Sequence, residues 1–175
     1  MVAVPRGVVF DLDDTLYLER DYVRSGYLAV ARAAAIDEAD SSTMMDFLWA
    51  RYESGQRERA FDVLLDRFPV IAESWSVLDL VSVYRQHAPT INMGVAMSAL
   101  LEELAADGAF LGVVSDGYLS AQTAKSRALL LDRWFAHVIL TDRWGPNYWK
   151  PSPRAFQEIQ NVSRLCGASL TYVGD

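Results

Sequence analysis

The sequence predicts an α/β fold, a Rossmann-like parallel sheet flanked by helices with an all-helical insert, and three observations predict it. First, four short apolar runs each stop at a polar or acidic residue: Gly7 to Phe10 before Asp11, Ala109 to Val114 before Ser115, His137 to Leu140 before Thr141 and Asp142, and Leu170 to Val173 before Gly174 and Asp175. Runs without polar alternation suit strands of a parallel sheet, which are covered on both faces. Second, stretches of helical spacing lie between the later runs, and strand–helix alternation builds an α/β layer. Third, Leu16 to about Thr90 holds one helical pattern after another and no convincing strand.

Taken in order, the first strand leads directly into the insert. Its predicted pieces are Asp21 to Asp37, with Tyr22, Val23, Tyr27, Val30 and Ala34 on one stripe, then Thr43 to Gln56, Glu58 to Phe68 and Ser76 to His87. Ser42 and Ser74 are the expected N-caps. Met44, Met45, Phe47 and Trp49 are expected in the core between these helices. Pro69, Pro89 and Gly94 punctuate the insert, and the chain is expected to return to the sheet between Pro89 and Gly94. Helical stretches then precede and follow the second run, at Gly94 to Asp107 and Tyr118 to Leu131, and Pro153 to Leu165 separates the third run from the fourth. The division is therefore residues 1–15 and 91–175 for the sheet part and 16–90 for the insert.

Charge and composition narrow the function classes. Sixteen Lys and Arg against 23 Asp and Glu give a net charge of −7. Binding along a nucleic-acid backbone runs on clustered basic groups that displace counterions, so a nucleic-acid partner is disfavoured. The only lysines are Lys125 and Lys150, so an anionic ligand must be met by a few local groups or a metal. Cys166 is the single cysteine, which excludes a disulfide framework within the chain and suits a reducing compartment. With no long apolar run and no leader-like N-terminus, no membrane partner is expected and the location is read as cytoplasmic. A monomer or homodimer is expected.

In open α/β sheets ligands bind beyond the carboxyl ends of the strands. Those ends present Asp11, Asp13 and Asp14, then Ser115 and Asp116, then Asp175. Like charges held together call for a cation, and oxygen ligands alone suit Mg²⁺ better than zinc or copper. Lys150, in Lys150-Pro151-Ser152-Pro153, stands just before a helix, so a cation and a helix start are expected to face the same end of the sheet and an anion pocket is expected there. Taken alone, Asp13, Asp14 and Thr15 also suit caps and turns, Ser115-Asp116-Gly117 also suits a turn, and Lys150 also suits a solvated position. His87 and His137 lack a second ligand at metal spacing and are read as structural, Trp144, Tyr148 and Trp149 as loop packing, and Glu19, Arg20, Arg24 and Arg51 as a solvated helical face.

Asp11-Leu12-Asp13-Asp14-Thr15 after a strand, Ser115 after the next, Lys150 beside a proline, and Gly174-Asp175 after another strand occur in order over residues 11–175. This series resembles the haloacid dehalogenase-like superfamily, and the early helical insert resembles the cap of one of its subfamilies. The resemblance implies that Asp11 is a nucleophile forming an aspartyl-phosphate, and that Asp13 is the general acid and base. It implies that Ser115, Asp116 and Lys150 contact the substrate and that Asp11, Asp13 through its backbone carbonyl, and Asp175 hold Mg²⁺. The dehalogenase branch lacks the acid two residues after the nucleophile. The phosphonate-cleaving branch uses a cap lysine, and the insert has none. The resemblance therefore implies Mg²⁺-dependent hydrolysis of a small soluble phosphomonoester, with sugar phosphates as a family-level candidate. A phosphomutase of the same family and a catalytically silent phosphate-binding or partner-docking module are the alternatives. The family's last motif usually continues to a second acid, a further strand and a helix, so the site and sheet are expected to be incomplete at Asp175, with weak Mg²⁺ binding and poor activity if the molecule ends there.

Overall fold

The computed structural model describes residues 6–174. Its sheet has four parallel strands, β1 (Gly7–Phe10), β2 (Phe110–Ser115), β3 (His137–Leu140) and β4 (Leu170–Val173), in the order β3-β2-β1-β4. The winding runs outward from β1 through β2 to β3 and then places β4 on the other side of β1. That reversal lies between β1 and β4, and such a switch point opens a crevice at the carboxyl ends of the strands. Register brings the carboxyl ends to one side of the sheet: β1 and β4 end level, with Phe10 opposite Val173, while β2 runs two residues past Val113, the partner of Phe10, to end at Ser115 opposite Leu140. Asp11, the residues after Ser115 and Gly174 therefore leave the sheet along one rim.

The strands form where apolar runs without alternation predict them, with β2 shifted by one residue to include Ser115. Val9, Val114 and Ile139 from three strands pack with Ala155 and Ile159 of α9 (Arg154–Ser163), all at most 1% exposed. The other helices of this unit are α6 (Val95–Ala106), α7 (Leu119–Ala128) and the short α8 (Leu131–Trp134).

The chain divides into two compact units, one holding the residues up to Glu19 and from Thr90 on, the other spanning Arg20–Pro89. The second is helical: α1 (Glu19–Ala34) opens it, followed by α2 (Glu38–Glu53), α3 (Ala60–Arg67), α4 (Pro69–Ala72) and α5 (Val77–Gln86). Val30, Leu48, Leu64 and Leu80 are fully buried at its centre, and Met44 joins them while Met45, Phe47 and Trp49 pack around the cluster. Tyr27 meets Phe61 and Tyr52 edge to face. The helix starts differ from expectation for a local reason. Asp37 ends no helix but caps α2, accepting from the N–H of Asp40 at 2.9 Å, which leaves Ser42 inside the helix. Ser76, not Ser74, caps α5, because Asp79 stands three residues on and closes a reciprocal capping box.

Candidate active site

Asp11 leaves the end of β1 at the switch point and is only 7% exposed. Its backbone N–H donates to the carbonyl of Val173 at 2.8 Å, so β4 fixes the main chain that carries it. Its side chain does not sit alone. Lys150 Nζ donates to Asp11 Oδ1 at 2.5 Å and to the Tyr172 hydroxyl at 2.9 Å. Burial alone would pull the Lys150 pKa down, but the hydrogen bonds to Asp11 and Tyr172 outweigh it and hold the ammonium above its ordinary value. Burial pushes Tyr172 up as well, against the opposing pull of Lys150. Lys150 is thus a cation committed to the Asp11 carboxylate.

Asp13 follows two residues later and has its own lysine. Lys125 Nζ donates to Asp13 Oδ1 at 2.6 Å, Gln122 Nε2 donates to Oδ2 at 3.0 Å, and the Tyr17 hydroxyl donates to Oδ1. Asp14 adopts a left-handed backbone and its carboxylate caps the start of α1, accepting from the N–H of Glu19 at 2.8 Å. The capping expectation therefore holds for Asp14, whereas Asp13 faces buried donors from α7.

The end of β2 supplies Ser115 and Asp116. Ser115 is 1% exposed and its hydroxyl reaches the Asp116 carbonyl at 3.4 Å. Asp116 uses both oxygens within the protein: Oδ1 accepts from the Thr141 hydroxyl at 2.6 Å, and Oδ2 accepts from the backbone N–H of Lys150 at 2.9 Å. It thereby ties the ends of β2 and β3 to the loop that carries Lys150. A similar tie runs through Asp142, which accepts from the N–H of Leu119 at the start of α7 and from the Trp149 indole. The turn at Gly117 has φ +115°, and a Cβ there would lie 2.6 Å from Gln122 Nε2. Only glycine lets the Gln122 amide close under this turn.

The structure thus brings together Asp11, Asp13, Ser115, Asp116 and Lys150 on one rim, while Asp175 lies outside the described residues. The positions missed from sequence are Tyr17, Gln122, Lys125 and Tyr172. Lys125 carried a usable signal, being one of only two lysines in an acidic chain. The histidine and aromatic expectations have simple counterparts: His137 and Arg143 share Glu158, and Arg143 and Arg154 stack on Trp144. In the helical unit Arg20 pairs with Glu53, and both Arg20 and Arg24 lie over Trp49.

The donors suit a hard cation by type, since Asp11 and the backbone at Asp13 offer oxygen. Among the described residues no group of three or more His, Cys, Asp and Glu side chains is placed to hold a metal ion. Among the described residues, too, no helix is long and apolar enough to cross a membrane.

Comparison with known proteins agrees with this construction. Residues 5–175 match the model of the haloacid dehalogenase-like hydrolases. Among solved structures, the HAD-hydrolase YfnB from Bacillus subtilis, in a form bound to magnesium, aligns with a TM-score of 0.60 at 16% identity, over 98% of this chain and 78% of that one. The L-2-haloacid dehalogenase from Xanthobacter autotrophicus aligns at 0.54 and 18% identity, over 97% and 69% of the two chains. A further dehalogenase aligns at 0.54 and 19% identity, over 99% and 78%. At these identities the likeness is one of fold. No curated protein matches closely enough to count as a relative. A parallel sheet with its acid pair at the switch point, and a family match over nearly the whole sequence, place the chain among the haloacid dehalogenase-like hydrolases.

Proposed function

We propose that this hydrolase is a Mg²⁺-dependent phosphatase that acts on a small phosphomonoester through an aspartyl-phosphate on Asp11. One observation carries the reading: the chain has only two lysines, and each pairs with one acid of the motif, Lys150 with Asp11 and Lys125 with Asp13. Dehalogenation needs the first acid alone. Burying a second lysine against Asp13 fits a reaction that needs both.

In this reading an Asp11 carboxylate oxygen attacks phosphorus, and the bond from phosphorus to the ester oxygen breaks with its electron pair on the leaving oxygen. Asp13 gives that oxygen a proton and is left as a carboxylate. It then takes a proton from water as the water oxygen attacks phosphorus, the bond to Asp11 breaks, and inorganic phosphate departs. Ser115 hydrogen-bonds the phosphoryl oxygens. Lys150 offsets the charge gathered on Asp11 and the phosphoryl group, which makes electrostatics and positioning the main source of rate. Asp116 serves through Lys150, since its oxygens hold the lysine's own N–H and Thr141. Bound Mg²⁺, held by Asp11, the backbone carbonyl of Asp13 and Asp175, would supply further compensation for phosphoryl charge. The helical unit is a candidate cap that selects the leaving group, and sugar phosphates are the first class to screen.

The names of the aligned dehalogenases favour a second reading, release of halide from a 2-haloacid. A paired assay separates the two. Phosphate release from p-nitrophenyl phosphate with Mg²⁺, and none of chloride from L-2-chloropropionate, supports the proposal; the reverse pattern overturns it.

A further inference from the structure

The inward face of α7 is polar where a sheet-packed helix usually offers leucine or valine: its buried residues are Ala121, Gln122 and Lys125. Lys125 is 4% exposed and Gln122 3%. Lysine is almost never buried to this degree unless paired, and apolar residues in place of a buried ion pair are often neutral or stabilising. Packing alone therefore does not account for this face. Both side chains converge on one acid of the site from 109 and 112 residues away in sequence.

The two contacts reach different oxygens of the carboxylate, and the Tyr17 hydroxyl joins Lys125 on Oδ1. Lys125 takes Oδ1 of Asp13 and Gln122 takes Oδ2. The terminal torsion of an aspartate is broad, so a carboxylate held at one oxygen still turns about its Cβ–Cγ bond, whereas one held at both is fixed in plane. The second amide hydrogen of Gln122 goes to the Asp116 carbonyl at 2.7 Å, which ties the turn after β1 to the turn after β2. Asp116 in turn holds the N–H of Lys150. A continuous chain of hydrogen bonds thus runs from Asp13 through Gln122, Asp116 and Lys150 to Asp11.

We propose that Lys125 and Gln122 are positioning residues that set the Asp13 carboxylate for proton transfer, an assignment that rests on the phosphatase reading above. Their loss should damage the steps that need Asp13 and spare the others. The values of kcat/KM report only steps up to formation of the covalent intermediate. In these steps an alkyl leaving group needs a proton, while p-nitrophenolate departs without one.

The test uses the full chain with Mg²⁺, as wild type, Lys125→Met and Gln122→Met, on glycerol 3-phosphate and p-nitrophenyl phosphate. Each variant is expected to lose about tenfold more kcat/KM on the alkyl ester than on the aryl ester, with KM little changed. A thermal-unfolding cycle reads the contact without turnover: Lys125→Met should shift Tm by a different amount in an Asp13→Asn background than in wild type. Equal losses on the two esters, or additive Tm shifts, overturn the assignment. Wild-type protein that releases no phosphate from either ester overturns the phosphatase reading and this assignment together, whereas release with equal losses overturns the assignment alone.

Discussion

The backbone N–H of Lys150 donates to Oδ2 of Asp116 at 2.9 Å, which fixes the main chain of the Asp11-bound lysine to the end of β2. Asp116→Ala removes this acceptor and the Thr141 partner at once. A displaced lysine reaches Asp11 less well, so kcat/KM for a phosphomonoester should fall about tenfold to a hundredfold. Denaturant unfolding should show a loss of about 1–3 kcal/mol from the orphaned donors. Steady-state kinetics and urea titration check both numbers.

Lys150 is shared between Asp11 and Tyr172, and the two partners differ in consequence. Lys150→Met leaves the buried Asp11 carboxylate without its cation and should cost more than about a hundredfold in kcat. Tyr172→Phe removes one hydrogen-bond acceptor and keeps the ring, so about a threefold to tenfold loss is expected. Parallel kinetics on the two purified variants establish the order, and a larger loss in Tyr172→Phe would contradict it.

Gly117→Ala should impair folding and the site together. The position has φ +115°, and an added Cβ would lie 2.6 Å from the Gln122 amide that holds Asp13. A non-glycine residue in this region costs on the order of 1–3 kcal/mol. Urea unfolding reads that loss directly, and kinetics on an alkyl phosphomonoester should show a larger deficit than on p-nitrophenyl phosphate.

Glu158 gives the sheet unit an acid-sensitive contact. Burial alone would raise its pKa, but hydrogen bonds from His137 and Arg143 outweigh it and hold the carboxyl below its ordinary range. A carboxylate depressed in the folded state adds stability that is fully present above its unfolded pKa and is lost as pH falls through its folded value. Stability should therefore decline as pH drops from the usual carboxylate range downward, and Glu158→Gln should flatten that limb. Unfolding free energies measured for both proteins across the acid range test the sign.

The sheet was legible because a parallel strand buried on both faces leaves an uninterrupted apolar run, and three of the four runs match strand bounds residue for residue. Asp11 and Ser115 were legible because strand ends point to a ligand crevice, and Lys150 because it stands beside a proline just before a helix that starts at the same end of the sheet. The helix starts were harder, since Asp37 and Ser42, or Ser74 and Ser76, are all good caps by type. Asp79 three residues after Ser76 was the signal that separates the second pair. Lys125 stood out as one of only two lysines, but its partner stayed hidden for a different reason: a buried lysine and a solvated one look alike until the carboxylate, 112 residues earlier, folds against it, and Gln122 carried no signal of its own.

Rapid acid quench of the turning-over enzyme, followed by peptide mass spectrometry, shows whether Asp11 carries the phosphoryl group. Wild-type protein should yield an acid-trapped phosphate adduct on the peptide containing Asp11. Asp11→Asn should yield none, together with a loss of turnover greater than about a thousandfold. Phosphate release by wild-type enzyme with no adduct on that peptide, or an Asp11→Asn variant that keeps its turnover, would contradict that role of Asp11.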